Sequence, residues 1–385
     1  MCAIAVGLLA GLFATAVMLG MGDQIVSVSL TTRLSHVQIT HPDYRRERDL
    51  SLYVPNAMGI ASEITTMEQV RAAAPRMLVD AMASSPRMAM GVEMLGVIPS
   101  MERNLTIIDE SIIEGQYFDT AMLNPAVIGQ ELAERLDIGV GSRLVLTFQN
   151  VEGVISGGAF RVSGLFRTPS AEFDRSTIYV RSDDLAPHLE MDQQRFQQVS
   201  ILFTTMEAMD TSMVYIEQMA EGMCVETWRD LAPELDYIAS TLDVFLYIFL
   251  IVILLALAFG IVNTMLMVVL ERTREIGMLM AVGMKRGTLF SMIVLETVVL
   301  SVTGAVVGMV FSFVLISVVS ETGIDLSVFA EGLAEFGTGE ILYPQLPWTM
   351  YPVLGLMVIV VAVLSALYPA LKALRLRPAD ALRTD

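Results

Sequence analysis

The sequence predicts an α-helical membrane protein with four transmembrane helices and a large α+β extracytoplasmic domain between the first helix and the second. Hydrophobic residues make up 54% of the 385 residues and charged residues 17%, whereas soluble domains average about 45–50% and about 25%. The apolar residues are concentrated in four nearly uncharged windows. The segments between these windows differ sharply in charge, and this asymmetry predicts how the chain is oriented.

The four apolar windows are residues 1–22, 242–270, 288–319 and 349–371. Each reaches or exceeds the roughly 20 residues that cross a hydrocarbon core of about 30 Å. The alternative for the first window is a cleaved signal peptide, but no Lys or Arg precedes Arg33. That window is also longer than the apolar part of a signal peptide, about 7–15 residues. We therefore expect a retained first helix.

Charge predicts the orientation of these helices. The segment 271–287 and the tail 372–385 carry four basic residues each, whereas the loop 320–348 carries five acidic residues and no basic one. Residues 23–241 carry 31 acidic and 16 basic residues. Since short basic segments stay in the cytoplasm, both termini and 271–287 are expected inside, and the large domain and the acidic loop outside.

The extracytoplasmic domain, residues 23–241, alternates strand and helix patterns. Short β-branched and aromatic runs predict strands at HVQIT, RLVLTFQN, AFRVSGLFRT, STIYVRS and QVSILFTT. Helical spacing of apolar residues predicts helices at IASEITTMEQVRAAA, QELAERL and MEAMDTSMVYIEQMAEGM. Gly157-Gly158 predicts a hairpin turn. This order predicts two lobes, one formed by units at 30–100 and 196–230 and the other by a β-rich insertion between them.

Catalytic, metal-binding and nucleotide-binding motifs are missing from the sequence. His36 and His41 lie five residues apart on a predicted strand and so would point to opposite faces, and no HExxH, CxxC or GxSxG occurs. Neither lysine, Lys285 or Lys372, stands in a GxxxxGK[ST] loop. We expect no catalytic residue, metal or cofactor in this chain, and the acidic surface predicts no nucleic-acid partner.

A charged segment, ERTREIGMLMAVGMKR (residues 271–286), separates the second apolar window from the third. Ile276, Leu279, Met280 and Gly283 recur at helical spacing, which predicts a short amphipathic helix. Such a helix can lie on a lipid surface, join two membrane helices, or dock into a groove on a soluble partner. The residues alone leave all three uses open.

The region GIVNTMLMVVLERTREIGMLMAVGMKRGTLFSMIVLETVVLSVTGAVVG resembles the signature region of the FtsX/MacB/LolC-type ABC transporter permeases. The tail YPALKALRLRPADALRTD and, in the outside domain, VIGQELAERLDIGVGSRL and AFRVSGLFRTPSAEFDRSTIYV are also similar to that family. The resemblance covers nearly the whole chain. It implies a permease of the bacterial inner membrane with a MacB-type periplasmic core domain.

The resemblance further implies that 271–287 is a coupling helix that touches a separate ABC ATPase subunit, which would hold the ATP and Mg. The ATPase-coupling residues are then Glu271, Arg272, Arg274, Glu275, Ile276, Gly277, Leu279, Met280 and Gly283. The arginines and Glu275 would pair with charges on the ATPase, and Ile276 would fill its docking groove. Met280 stands where relatives often have Arg or Lys, so the docking face is expected to be more apolar.

Four residues within the apolar windows are expected to act in helix packing or conformational change. Glu296 is costly inside a membrane unless it is hydrogen-bonded, and we expect a conformational hydrogen-bonding role for it. Asn263 is typical of contacts between membrane helices. Gly304 and Gly308 form a GxxxG pair, which permits close approach of two helices.

In this family ATP binding moves the coupling helices, and the periplasmic domains move in response. HVQITHPDY resembles permeases of the lipoprotein-release type, so release of lipoproteins from the inner membrane is the first expectation. The alternatives are MacB-like efflux and FtsX-like regulation of cell-wall hydrolases. A membrane-anchored receptor would leave the coupling helix unexplained. Further expected partners are a second permease, identical or related, a periplasmic lipoprotein carrier or adaptor, and membrane lipid.

Overall fold

The computed structural model of the protein describes residues 2–329 and 341–374, and for Cys2, Ala3, Asp243 and Phe329 the backbone only. The middle of the predicted loop 320–348 and the predicted tail beyond residue 374 lie outside the described residues. The chain divides into two compact units. We call Met1–Asp23, Ile238–Asp325 and Ile341–Asp385 the helical unit, and Gln24–Tyr237 with Leu326–Glu340 the sheet unit.

The helices follow one another along the chain with these bounds: α1 (Cys2–Ser29), α2 (Tyr44–Glu47), α3 (Ala57–Thr65), α4 (Pro99–Leu105), α5 (Gln130–Leu136), α6 (Ala171–Ser176), α7 (Ser182–Leu189), α8 (Met206–Met219), α9 (Trp228–Leu231), α10 (Pro233–Glu271), α11 (Thr273–Ala281), α12 (Arg286–Thr322) and α13 (Met350–Leu374). A π-helical turn, Leu30–Leu34, continues α1, and a 3₁₀ turn spans Ser327–Phe329.

The strands are β1 (Val37–Thr40), β2 (Val70–Ser84), β3 (Ala89–Val97), β4 (Ile112–Gly115), β5 (Pro125–Gly129), β6 (Arg143–Gln149), β7 (Ile155–Phe166), β8 (Thr177–Arg181), β9 (Gln198–Phe203), β10 (Cys224–Thr227), β11 (Ile324–Asp325) and β12 (Ile341–Leu342).

Within residues 2–329 and 341–374, four helices are long and apolar enough to cross a membrane: α1 with its π-helical turn, α10, α12 and α13. All four extend past the predicted windows at their C-terminal ends, because polar residues there also adopt helical conformation. α10 also begins at Pro233, nine residues before the window 242–270. Proline suits the first turn of a helix, since its missing N–H would have no intrahelical acceptor there.

The helical unit is packed through small residues. A Cβ atom added at Gly308 of α12 would lie 2.8 Å from the carbonyl oxygen of Ala5 and 3.2 Å from Cβ of Leu8 in α1. Gly304 is also buried in α12. The GxxxG pair therefore lies on a buried face of α12, where Gly308 allows close contact with α1 of the same chain.

In the described part of the sheet unit, ten strands form one mixed sheet in the order β10-β1-β9-β2-β3-β8-β5-β7-β4, with β6 pairing β2 and β7. β2 has 15 residues. Its first half pairs with β9 and its second half with β3 and β6. Strands from 30–100, from 196–230 and from the region between them therefore share one continuous sheet.

The five predicted strands are confirmed as β1, β6, β7, β8 and β9. The predicted helices at QELAERL and at MEAMDTSMVYIEQM are also confirmed, as α5 and α8. The prediction of one helix over IASEITTMEQVRAAA was wrong in its second half, because VRAAA begins β2. Small apolar residues on both faces of β2 are buried, so the two-residue alternation that marks a half-buried strand is absent.

The hairpin turn predicted at Gly157-Gly158 was also wrong, since both glycines lie inside β7. The turn between β6 and β7 is instead formed at Asn150–Val154. There, the Asn150 side-chain oxygen accepts hydrogen bonds from the backbone N–H groups of Glu152 and Val154, at 3.1 and 2.8 Å. Gly153 adopts φ +76°, which favours glycine. Asn150 and Gly153 are therefore the residues that mark this turn in the sequence.

The two N-terminal histidines flank β1. The His36 Nδ1 accepts a hydrogen bond from the Phe203 N–H at 2.9 Å, and burial lowers the pKa of His36. The His41 Nδ1 accepts one from the Asp43 N–H at 3.2 Å. Each ring thus has its own local backbone donor and serves the fold. Among the described residues, no group of three or more His, Cys, Asp or Glu side chains is placed to hold a metal ion.

Candidate coupling segment

The segment between α10 and α12 folds as a short helix, α11, with a defined break at its start. Arg272 leaves the helical conformation at φ −95° and ψ 19°. The Thr273 hydroxyl donates a hydrogen bond to the Leu270 carbonyl at 2.7 Å, and the Ile276 N–H donates to the Arg272 carbonyl at 3.0 Å. The helical conformation is therefore interrupted at Arg272, while these backbone groups remain paired.

The end of α11 is fixed by Gly283, which adopts φ +102°. Its N–H donates to the Met280 carbonyl at 3.1 Å, and the Met284 N–H donates to the Leu279 carbonyl at 3.1 Å. These two hydrogen bonds are those of a Schellman motif, in which the left-handed residue is usually glycine. Lys285 is extended and α12 begins at Arg286. Gly283 therefore ends the helix so that the chain can enter α12.

One face of α11 is packed against the helical unit. Ile276 is 5% exposed and belongs to the core cluster that also contains Val269, Leu289 and Ile293. Gly277 is buried as well. Leu279 and Met280 are half-buried, and Met280 packs against the same cluster. These contacts anchor α11 to the ends of α10 and α12.

The opposite face of α11 is open. Met278 is 57% exposed and Val282 is 85% exposed, and the exposed Arg274 lies four residues before Met278. Residues four apart lie on the same side of a helix. We call Arg274, Met278 and Val282 the open face. Two neighbouring apolar side chains exposed beside a charged group are suited to contact a partner protein.

Glu296 of α12 forms an ion pair with Arg272, with the Arg272 Nη1 donating to Glu296 Oε1 at 2.9 Å. The two side chains are 35% and 53% exposed. They border a cavity of about 50 Å³ that Glu275 and Ile276 also line. The Glu296 carboxylate thus has a cationic partner at the helix break that precedes α11.

The remaining predicted residues take no part in the Arg272–Glu296 ion pair. Glu271 is exposed at the end of α10, and Glu275 is exposed in the first turn of α11. Asn263 is exposed on α10, and within the described part of the chain its side chain has no hydrogen-bond partner. Gly304 and Gly308 lie in the buried face of α12.

Sequence reasoning did not identify Met278 and Val282 as site residues. Their four-residue spacing carries the same helical signal as the spacing of Ile276 and Met280. α11 has two apolar stripes, one through Ile276 and Met280 and one through Met278 and Val282. Periodicity identifies both but does not tell which one packs against the membrane helices. The structure places the Ile276 stripe inward and leaves the Met278 stripe outward.

Comparison with known proteins identifies both parts of the chain. Residues 1–218 match the family model of the MacB-like periplasmic core domain, and residues 247–378 match that of the FtsX-like permease C-terminal region. The second match includes α11 and the Arg272–Glu296 pair.

Three similar proteins illustrate the relationship. Over 335 residues, the chain is 24% identical to the lipoprotein-releasing system transmembrane protein LolC of Xylella fastidiosa, an alignment that covers 83% of this chain and 79% of that protein. Over 126 residues it is 30% identical to the macrolide export ATP-binding/permease protein MacB of Chlorobaculum tepidum, covering 33% of this chain and 17% of that protein. The crystal structure of the periplasmic region of MacB from Actinobacillus actinomycetemcomitans aligns with a TM-score of 0.38 and 10% identity, covering 57% of this chain and 97% of that one.

A MacB-like core domain that covers more than half of the chain, followed by an FtsX-like permease region that contains α11, defines the architecture. The protein belongs to the LolC/MacB/FtsX family of ABC transporter permeases.

Proposed function

We propose that this permease couples ATP binding and hydrolysis on a separate ATPase subunit to movement of its sheet unit in the periplasm, and that the work releases lipoproteins from the inner membrane. Membership of the family implies an ATPase partner and a non-catalytic role for this chain. The single observation that carries the coupling proposal is α11, which is anchored on one face and open on the other.

The open face is the proposed docking surface. Met278 and Val282 would enter an apolar groove on the ATPase, with Arg274 at the edge of the contact. Ile276, for which the family resemblance implied this role, is held in the core of the helical unit. In our proposal Ile276 fixes α11 to the membrane helices, and the docking role passes to Met278 and Val282.

Two connections would carry a displacement of α11 into the membrane helices. The Ile276 contacts and the Arg272–Glu296 ion pair join α11 and its hinge to α12. On the other side, α10 is one uninterrupted helix of 39 residues, about 58 Å long at 1.5 Å per residue. A stiff helix of this length can transmit a movement imposed at Glu271 along its whole length to Pro233.

Lipoprotein release is favoured as the output because the similarity to LolC extends over most of that protein, whereas the similarity to MacB covers a small part of it. In this proposal the permease works as a dimer with itself or with a related permease, and delivers its substrate to a periplasmic carrier. MacB-like efflux and FtsX-like control of cell-wall hydrolases are the alternatives.

The docking proposal is tested by gentle solubilisation of native membranes, purification through a C-terminal tag and mass spectrometry of the co-purifying chains. We expect an ABC ATPase with the unaltered protein and its loss with Met278→Asp combined with Val282→Asp. Met278→Leu combined with Val282→Ile keeps the face apolar and is expected to retain the ATPase. Undiminished recovery of the ATPase with the double Asp variant would refute docking through this face.

The substrate is tested separately by depleting the permease in its native host. If the protein releases lipoproteins, they accumulate in the inner membrane on depletion. Normal sorting of lipoproteins, together with a retained ATPase partner, would reject lipoprotein release and leave the coupling mechanism in place. Co-purification of an adaptor with an outer-membrane channel would then favour efflux.

A further inference from the structure

The sheet unit contains a cavity of about 160 Å³ beside strands β1, β2, β3 and β9. A single water needs about 10–15 Å³ measured in this way, so the cavity accommodates a group of several atoms. Its charged and apolar wall residues are Arg33, Arg45, Arg48, Arg76, Glu93, Glu226, Leu34, Leu78, Leu95 and Leu231. We call it the arginine pocket.

The positive charge of the arginine pocket stands out against the acidic surface of the unit. Residues 23–241 hold 16 basic and 31 acidic residues, yet the pocket walls hold four of the basic residues and two of the acidic ones. A net positive charge in a cleft attracts ligands of the opposite sign. The expected ligand is therefore an anion.

Three of the four arginines already have carboxylate partners within the protein. Arg45 pairs with Glu226 at 2.5 Å, and Arg48 pairs with Glu93 at 3.1 Å. The charge of Arg76 is neutralised by Glu102, at an N···O distance of 2.6 Å. Glu102 is not one of the wall residues. These pairs hold the walls in place but leave little net charge on the three arginines.

Arg33 is the exception. It is exposed, and among residues 2–329 and 341–374 its side chain donates no hydrogen bond and forms no ion pair. Its guanidinium group therefore keeps all five N–H donors in the planar fork that binds phosphate or carboxylate through two parallel hydrogen bonds. Arg33 is the group best placed to recognise an anion in the pocket.

The apolar walls indicate what the anion is attached to. Four leucines line the same cavity as the arginines, so the ligand is expected to carry an apolar portion beside its charge. Along the chain, Arg33 follows the end of α1 by four residues, and Leu231 precedes the start of α10 by two. Two wall residues, Arg33 and Leu231, are thus close in sequence to apolar helices. This proximity favours a phosphate group that belongs to a membrane lipid.

We propose that the arginine pocket binds a phosphate group and that Arg33 recognises it. The source favoured by the leucines is a phospholipid headgroup, and a free phosphate ion is the other source of the same chemistry. This site is independent of the coupling proposal, since it involves no residue of α11.

The test uses the full chain in a neutral detergent, with binding followed by microscale thermophoresis. Three probes separate the sources: dioctanoyl phosphatidylglycerol, dioctanoylglycerol, which lacks the phosphate, and inorganic phosphate. We expect phosphatidylglycerol to bind at least tenfold more tightly than dioctanoylglycerol. Arg33→Gln is expected to weaken binding of phosphatidylglycerol about tenfold, the usual effect of losing a hydrogen bond from a charged donor.

The matched control is Arg46→Gln, which removes the same charge from an exposed arginine of α2 that does not line the pocket. It is expected to change the affinity less than twofold. Arg33→Lys keeps the charge without the fork and is expected to give an intermediate loss. If Arg33→Gln does not elute from gel filtration like the unaltered protein, the Lys variant carries the test.

If inorganic phosphate binds and Arg33→Gln weakens its binding by a similar factor, the result supports the site. It would also show that a soluble anion is sufficient for binding. Equal affinity for the two lipids would overturn the proposal. Equal losses from Arg33→Gln and Arg46→Gln would also overturn it, because the effect would then reflect net charge alone.

Discussion

Arg76 and Glu102 illustrate at the residue scale how a buried charge is held in the sheet unit. The Arg76 Nη2 donates to Glu102 Oε1 at 2.6 Å and Nε donates to Oε2 at 3.2 Å, and the two side chains are 1% and 0% exposed. The remaining nitrogen, Nη1, donates to the Arg33 carbonyl at 3.3 Å. Burial alone would lower the pKa of Arg76, but the Glu102 carboxylate raises it above the ordinary value.

Removing one partner of this pair is expected to be strongly destabilising. Glu102→Gln should lower the free energy of unfolding of the sheet unit by about 3–5 kcal/mol, because an uncompensated guanidinium would remain buried. The measurement is denaturant unfolding followed by the fluorescence of Trp228, in a Trp348→Phe background that leaves it as the single tryptophan. Glu47→Gln, at an exposed ion pair with Arg46, is the control and should cause little change. A comparably small effect of Glu102→Gln would contradict the role of the pair.

Asp174 is expected to make the stability of the fold depend on pH. Its carboxylate accepts hydrogen bonds from the Thr168 hydroxyl and N–H groups at 2.7 and 2.9 Å, but burial dominates and raises its pKa from 3.8 to about 7. The folded protein therefore binds this proton more tightly than the unfolded chain. The resulting contribution to stability is complete below pH ~4 and is lost as the pH rises towards 7, amounting to roughly 4 kcal/mol at most.

Asp174→Asn isolates this contribution, since Asn can keep both contacts to Thr168 without a charge. We expect the free energy of unfolding of the unaltered protein to fall relative to that of the variant between pH 4 and 7, measured through the same Trp228 fluorescence. The comparison cancels the opposite contribution of His36, whose pKa is lowered by burial, so that the fold becomes more stable as the pH rises towards the ordinary value of 6.5. Parallel stability curves for the two proteins would show that Asp174 does not titrate in this way.

At the scale of elements, the bounds of α11 depend on Gly283. A Cβ atom at this position would meet nothing within 4 Å, so the cost of Gly283→Ala is conformational, about 1–2 kcal/mol for an L-residue in the left-handed region. That cost should loosen the end of α11 and speed tryptic cleavage after Lys285 about tenfold in detergent. Gly287→Ala is the matched control, because Gly287 lies in α12 with open space around it. Equal cleavage rates for the two variants would exclude a special role of Gly283.

How far the sequence predicts the elements depends on the periodicity that each one carries. Strands β1, β6, β7, β8 and β9 are rich in β-branched or aromatic residues and were predictable. β2 was not, because a strand buried on both faces by Ala and Met lacks the alternation that identifies strands. In α11 the helix was predictable from its spacing, but its orientation depends on tertiary contacts with α10 and α12. The sequence alone therefore does not tell which face of α11 is packed against the membrane helices and which is open.

At the scale of the whole molecule, the sheet unit and the helical unit are packed differently and are expected to respond differently to substitution. The sheet unit has a closed core and buried polar pairs such as Arg76–Glu102, so changes within that core are expected to act through stability. The helical unit packs through small residues such as Gly308 and presents broad apolar surfaces, as expected for helices that lipid covers. Changes on the open face of α11 alter exposed side chains only, so they should separate coupling from folding.

Membrane orientation is the last prediction, because it decides which face of the molecule meets an ATPase. By the positive-inside rule, the basic residues around α11 and the acidic charge of residues 23–241 predict that α11 lies in the cytoplasm and the sheet unit outside. Two exposed positions report on the two sides, Val282 at 85% and Leu123 at 84% exposure. With Cys2 and Cys224 replaced by Ser, a membrane-impermeant maleimide should label Leu123→Cys in cells with a permeabilised outer envelope and an intact inner membrane. Val282→Cys should react only after the inner membrane is disrupted. Labelling of Val282→Cys before disruption would reverse the topology and place α11 beyond the reach of any cytoplasmic ATPase, so this experiment tests the basis of the coupling mechanism.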